Sequence, residues 1–358
     1  MNVAKCVALA LAGLIVSFHS SLAADFTPEL KALIAAAQKE GELRLTFGEG
    51  SAGGEAGAVR FEKGLNEMFG TNIKLVFTPG PSMPAMASQI TTLNAAKQPS
   101  PSDVYVGWSR HYPALYKRKV LQSFEWTKFL PGRITPDMVE LDGAAVKFAT
   151  SIPGVYYNTK LSPYKPQRLS DFLKPEWKGR ISTTPYSAGF DILAGKDIFG
   201  PQKALDYAKQ LSPQIAGLTR CDENERLASG EFLAMVMDCG DLGLDAIIKK
   251  GAPIAHFTPK DYPTMSYYYL SVPKNAPNAA AGILFTVYAS LPEGQKIIRD
   301  SWGGDMNLYP EAKMHQTAQA VEAEIGQKLH SIDLVWQRGN DEGRKTHGEI
   351  NKILAVKK

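Results

Sequence analysis

FATSIPGVYYN, residues 148–158, and SYYYLSV, residues 266–272, are two extended, aromatic-rich runs, each flanked by turn residues. The segments before, between and after them each carry their own pattern of strands and helices. A chain that builds one α/β layer, leaves it for a second and then returns must cross twice. Two crossings make a hinge, so these two runs decide between one continuous layer and two lobes.

Working outward, the first segment alternates regularly. Thr27-Pro28 opens a helix with Leu30, Leu33, Ile34 and Ala37 on one face, and Gly41 stops it. ELRLTF (42–47) reads as a strand, followed by a Gly-rich loop (48–57) and a helix carrying Val59, Leu65, Met68 and Phe69. The strand NIKLVFT, a helix with Met86, Ile90 and Leu93, and the strand DVYVG come next. Strands alternating with helices predict a mainly parallel sheet and an α/β fold. The rhythm returns after residue 178 in GRISTT, YSAGFDILAG, EFLAMVMD, LGLDAIIKK and APIAHFT. The expected division is residues 24–150 plus 273–358 in lobe 1 and 155–265 in lobe 2, with crossings near 148–158 and 266–272.

The N-terminus carries Lys5, the apolar run CVALALAGLIVSF and the small residues SLA at 21–23. That is the layout of a cleaved secretory signal over residues 1–23. The run is too short for the ~20 residues that span a bilayer, and Cys6 precedes it, so it is not a lipid-attachment cysteine. The mature chain is expected to be soluble and periplasmic. Export leaves Cys221 and Cys239, and such a pair usually bonds in an oxidising compartment. A helix in DENERLASG returning antiparallel to a strand in EFLAMVMD brings the two together. The other reading is two separate buried thiols.

The net charge is only +4, with no concentrated Lys/Arg cluster, so nucleic acid is not an expected partner. The basic tail GRKTHGEINKILAVKK reads as a solvated terminal helix. GEGSAG (48–53) matches the dinucleotide fingerprint, but the second strand ends Phe77-Thr78-Pro79 rather than on the acid that would hold a ribose. What survives is physical: Gly50, Ser51 and Gly53 offer backbone N–H groups at a helix start, which suits an anion or polar ligand. TPYSAG (184–189) repeats the device with Tyr186, Ser187, Ala188 and Gly189. Open α/β sheets bind ligands at strand carboxyl ends. Ser82 in TPGPS and Trp108 and Ser109 in GWSRH belong on the same rim. Arg110 and Arg220 follow strands and suit a carboxylate or phosphoryl group. Asp241 opens a helix and could receive an amine or simply cap. No G-x-S-x-G elbow and no histidine ligand spacing occurs, so neither a catalytic set nor a metal site is expected, and no cofactor.

The stretches 154–182 (GVYYNTKLSPYKPQRLSDFLKPEWKGRIS), LASGEFLAM, KKGAPIAHFTP and VPKNAPNAAAGILFTVYASLPEGQKII resemble the periplasmic solute-binding proteins of ABC importers. The likeness is to the branch with ferric-iron, thiamine, putrescine and phosphonate binders, and it covers nearly the whole mature chain. The resemblance implies a two-lobe type II periplasmic-binding fold that closes on a small-molecule ligand and delivers it to an inner-membrane ABC permease. The chain is expected to act as a monomer and not as an enzyme. Ferric relatives grip metal with adjacent tyrosines after the SGE strand. Here that place reads Asp238-Cys239-Gly240-Asp241-Leu242, so ferric iron is the runner-up to a small polar solute, anions included. An exported hydrolase on a similar fold is the reading from a different class. In the tyrosine run, Tyr267 and Tyr269 face one way and Tyr268 the other. Strand pairing alone does not decide which set is wet; Tyr268, with Tyr156 and Tyr157, is the candidate wall of the cleft.

Overall fold

The protein is described by a computed structural model over residues 26–48, 51–195, 197–221, 223–238, 240, 244–331 and 341–355. The expected signal segment, Gly50, Cys239 and Asp241 lie outside the described residues, and so therefore does the Cys221–Cys239 pairing. No helix among the described residues is long and apolar enough to cross a membrane.

Helix α1 (Pro28–Glu40) starts as its sequence dictates. The Thr27 hydroxyl accepts from the Leu30 N–H at 3.1 Å, proline fills the first turn, and Gly41 ends it at φ 67°. Strand β1 (Glu42–Gly48) leads through a 3-10 turn at Ser51–Gly53 into α2 (Gly54–Phe69), then β2 (Lys74–Gly80), which pairs parallel with β1. The helix starts at Gly54, so the expected loop to residue 57 is shorter. Its buried face is Ala58, Phe61, Leu65 and Phe69, while Val59 is 65% exposed. Residues 58, 61, 65 and 69 keep the three- and four-residue steps of one face, which residue 59 breaks.

Helix α3 (Met83–Ala95), strand β3 (Tyr105–Trp108) and the short α4 (Tyr112–Lys117) complete this half of the chain. Strands β4 (Val139–Glu140) and β5 (Ala145–Ser151) follow, and then β6 (Val155–Asn158). The middle of the chain holds β7 (Ile181–Thr183), α5 (Phe190–Leu193), α6 (Gly200–Leu211) and β8 (Ile215–Leu218). After them come α7 (Asn224–Ala228), β9 (Ala234–Val236), α8 (Leu244–Lys249) and β10 (Ile254–Phe257). Strand β11 (Thr264–Ser271) precedes α9 (Ala279–Ser290), α10 (Pro292–Trp302), α11 (Lys313–Ile325), β12 (His330–Ser331) and α12 (Asp341–Leu354).

Two larger sheets result. One runs β10-β6-β9-β7-β8; the other runs β12-β11-β5-β4, with β3 also paired to β11. The expectation of mainly parallel strands is corrected. Parallel pairs (β1–β2, β7–β8, β7–β9, β11–β12) share the fold with antiparallel ones (β10–β6, β6–β9, β11–β3, β11–β5, β4–β5). The strands beside the inter-sheet passages run back against their neighbours, which alternation of strand and helix along the sequence does not reveal.

The chain leaves one sheet after Ser151 and enters the other at Val155, and it returns between Phe257 and Thr264. The second passage is therefore residues 258–263. Residues 266–271 of the 266–272 run are strand, paired to β5 and β3. Gly154 fits the first passage because a Cβ there would collide with the Phe257 carbonyl oxygen.

Helices α9 and α10 pack on α1 and α2, but α12 docks on α5 and α6, beside the five-stranded sheet. The tail is thus not simply a solvated helix, nor does all of 273–358 stay with the first half. Thr346, Ile350 and Leu354, one turn apart, are buried, and the Ser212 hydroxyl donates to Ile353 O at 3.0 Å.

Candidate functional site

Strand β3 ends in Trp108, and a 3-10 turn carries Ser109, Arg110 and His111. In the other sheet, β7 ends in the loop 184–189, which feeds α5. These two segments meet. Arg110 Nη1 donates to Tyr186 O at 3.4 Å, and Arg110 Nε lies 3.6 Å from Asp191 Oδ2. Helix α12 adds the third side: His347 Nε2 sits 3.2 Å from Ser187 O and 3.4 Å from Arg110 Nη1. Both sheets and the last helix therefore converge on one guanidinium.

Aromatic rings wall this junction. Tyr268 packs edge-on to Trp108 at 4.8 Å and against Trp302 at 4.4 Å, and the Arg110 guanidinium lies 5.9 Å from the Trp108 ring. Burial pushes the Tyr268 hydroxyl well above its ordinary value. The neighbouring Tyr186 adds to the rise, Arg110 opposes it and Asp238 adds to it. Tyr267 and Tyr269 face the other way, into the packing around Tyr112 and Met138. Tyr268 is thus the tyrosine of the run turned towards Trp108 and Arg110.

Ala52 in the Ser51–Gly53 turn and Ser187 in the 184–189 loop have left-handed φ, of 52° and 47°, as do Lys97, Lys119, Leu141, Asp142 and Met237 elsewhere. Non-glycine residues are uncommon in that region. Gly53 (φ 84°) packs so closely on α10 that a Cβ would lie 2.5 Å from Ser301 Cβ. Ser301 and Trp302 are neighbours in α10, which thus touches both the Ser51–Gly53 turn and Tyr268.

Other expected positions separate from this centre. Tyr156 is buried among Leu227, Phe232 and Met235, with its hydroxyl donating to Gly240 O; Tyr157 is buried against Phe257. Both belong to packing within the five-stranded sheet, because both faces of a central strand are covered. Ser82 is exposed at the start of α3 and makes no side-chain cap. Ser109 is fully buried. The amides expected to be free at 187 and 188 are already engaged: Ser187 N donates to Thr184 O at 3.1 Å and Ala188 N to Thr184 Oγ1 at 2.7 Å. Helix α5 has four residues, too few for a useful macrodipole. The amides of 187 and 188 are thus spent within the loop, and the remaining polar groups at the junction are side chains.

Asp191 is 7% exposed, and neither carboxylate oxygen accepts a hydrogen bond among the described residues; the buried Trp108 Nε1 likewise donates to nothing there. Unmatched buried polar groups destabilise a fold and cluster where function needs them. Sequence reading missed Asp191 and His347. The Asp was hidden inside a segment read as plain helix, and His347 lay in a tail read as solvated. Behind the site, Asp238 Oδ1 accepts from Gly154 N at 3.0 Å and Gly240 N at 2.6 Å, and Oδ2 lies 3.3 Å from His256 Nε2. Among the described residues no group of three His, Cys, Asp or Glu side chains is placed to hold a metal.

Residues 58–324 match the family described as bacterial extracellular solute-binding protein. No curated protein matches the chain. Solved structures do. Iron-bound HitA from Pseudomonas aeruginosa is 19% identical with TM-score 0.66, over 86% of this chain and 99% of that one. The substrate-binding protein of an ABC transporter from Agrobacterium tumefaciens is 17% identical with TM-score 0.68, over 89% and 97%. Fructose-6-phosphate-bound AfuA from Actinobacillus pleuropneumoniae is 18% identical with TM-score 0.61, over 87% and 96%. At these identities the likeness is one of fold, that of type II periplasmic binding proteins.

Proposed function

This chain belongs to the bacterial extracellular solute-binding protein family, and on that premise we propose that it captures a small polar solute between two lobes and hands it to an ABC permease. The lobes are the halves around the two larger sheets, joined by the passages 152–154 and 258–263. The observation that carries this reading is Arg110. A guanidinium from the end of β3 reaches the Tyr186 carbonyl and Asp191 of the other sheet, with Trp108 and Tyr268 beside it. Residues from two lobes that meet around unmatched buried polar groups can be satisfied together by a ligand, and that shared satisfaction drives closure.

Of the expected binding residues, Trp108, Tyr186, Ser187, Gly189 and Tyr268 remain in this proposal, and Arg110 and Asp191 join them. The Ser51–Gly53 turn forms the outer rim. The protein acts without turnover, after export and removal of the leader near residue 23, with Cys221 and Cys239 joined. The Tyr186 hydroxyl, 3.4 Å from Cys221 Sγ, would place that bond at the mouth of the cleft.

The test is calorimetry and small-angle scattering on the mature protein purified from the periplasm, with native mass spectrometry to identify any solute carried along. Saturable one-to-one binding, compaction on binding and unchanged ligand recovered afterwards are expected. Recovery of a chemically altered ligand, or no binding by wild-type protein, would overturn the reading.

A further inference from the structure

Asp191 presents two buried oxygens that accept no hydrogen bond among the described residues, and Arg110 stands beside it at 3.6 Å, past hydrogen-bonding distance. An arginine is charged at all physiological pH values and offers five donors in a rigid fork. In place of a tight bidentate pair, this one is splayed: Nη1 turns to the Tyr186 carbonyl and the His347 ring. The Trp108 ring, whose buried Nε1 lacks an acceptor among the described residues, lies 5.9 Å from the same guanidinium. Donors thus collect on the β3 side, and a bare acceptor faces them from α5.

A simple anion held by Arg110 would leave Asp191 a buried carboxylate beside a second negative charge. A simple cation held by Asp191 would do the same to Arg110. A zwitterion pairs each group and leaves no net charge buried, and it gives both of them the charge-assisted bonds that a neutral solute does not offer. We propose that Asp191 receives an ammonium group of the bound solute while Arg110 and Trp108 Nε1 hold its acidic group, so that the solute is a small zwitterion. This rests on the solute-capturing reading above and narrows it from polar solutes in general to amino acids and their phosphorylated or ω-amino relatives. It also moves the amine-receiving role from Asp241 to Asp191.

The experiment compares matched probes by calorimetry on solute-free mature protein. β-Alanine, γ-aminobutyrate, glutamate and phosphoethanolamine are each set against the same acid without the amine and the same amine without the acid. At least one zwitterion should bind more tightly than both of its matched partners by roughly 10- to 100-fold, the effect of stranding a charged group in a buried site. In Asp191→Asn the affinity for that zwitterion should fall by a similar factor while binding of the matched acid is unchanged, collapsing the ratio. A purely structural Asp191 would alter stability and leave the ratio alone. Should Asp191→Asn fail to fold, the wild-type ratio decides by itself. The proposal is overturned if the solute bound by wild-type protein, from the probes or identified by native mass spectrometry, lacks an ammonium group. Ferric ion or inorganic phosphate alone would be such a result. A ratio that survives Asp191→Asn overturns it too. A protein that binds no probe and carries no solute fails the solute-capturing reading itself, and this inference goes with it.

Discussion

The Tyr262 hydroxyl donates to the Gly189 carbonyl at 2.9 Å. Tyr262 is fully buried in the second passage between the sheets, and Gly189 is the residue from which α5, with Asp191, begins. One hydrogen bond therefore ties the second passage between the sheets to the 184–189 loop. Removing it in Tyr262→Phe takes one of two donors from that carbonyl, which the Leu193 N–H also reaches at 2.9 Å, and leaves the ring's packing unchanged. The expected loss of stability is about 0.5–1.5 kcal/mol, read as a lower urea midpoint with unchanged slope. Solute affinity should fall as well, because Asp191 and Ser187 lose a fixed backbone. Wild-type affinity in the variant would show that the passage and the loop are not coupled through this bond.

The first passage is held differently. Asp238 gathers the Gly154 and Gly240 amides on a single oxygen, while Gly154 lies against Phe257 with no room for a methyl group. Gly154→Ala should destabilise by about 1–3 kcal/mol through overpacking. Asp238→Ala should cost more than Asp238→Asn, since the asparagine carbonyl can still accept from both amides whereas alanine orphans them. Urea denaturation of the three variants gives the ranking. Equal effects of alanine and asparagine at 238 would mean that the amides do not depend on that oxygen.

Periodicity and turn residues carried much of this architecture. The α1 caps, β1, α3 and the helix–strand rhythm after residue 178 follow from local chemistry, which Thr27, Pro28 and Gly41 state directly. What failed was non-local. Strand direction in β6 and β10 depends on where the chain re-enters a sheet. The docking face of α12 is a short stripe, Thr346, Ile350 and Leu354, whose partner lies more than a hundred residues earlier. The site split in the same way. Trp108, Ser187 and Tyr268, which the structure places near Arg110, were flagged as residues at strand ends or in an aromatic run. Arg110 was flagged singly, and its partners Asp191 and His347 come from segments with no motif. Tyr156 and Tyr157 were misplaced because an aromatic pair in a buried strand reads the same as one on a cleft wall.

The aromatic wall gives an optical handle. Trp108 and Trp302 both pack on Tyr268, so the indoles should report any change beside that ring. Solute binding is expected to shift tryptophan emission, and Tyr268→Ala should abolish most of that shift and lower stability by about 3–5 kcal/mol, the usual loss for a buried aromatic truncated to alanine. Tyr268→Phe should keep the shift. Ferric loading offers a parallel measurement: a visible tyrosinate band that disappears in Tyr268→Phe would point to metal cargo.

Acid should loosen the junction through its histidines. Burial is the main cause that lowers His347 below its ordinary value; Arg110 lowers it further, and Asp191 and the Ser187 and Tyr186 carbonyls oppose. Burial, aided by Arg110 and His347, pushes His111 down to about 3. A histidine that binds its proton less readily in the fold than in the unfolded chain stabilises the fold fully above the unfolded value, ~6.5. That contribution is lost as pH falls below ~6.5 towards the folded values, by up to about 1.4 kcal/mol per pH unit for each histidine. The urea midpoint should therefore be flat above pH ~7.5 and decline below ~6.5. His347→Gln keeps an amide near the Ser187 carbonyl and cannot take up the proton, so it should reduce the decline by about one proton's worth of slope. His111→Asn should remove much of the remainder. A decline of the same slope in His347→Gln would show that the last helix is held to the cleft by contacts indifferent to this ring's protonation.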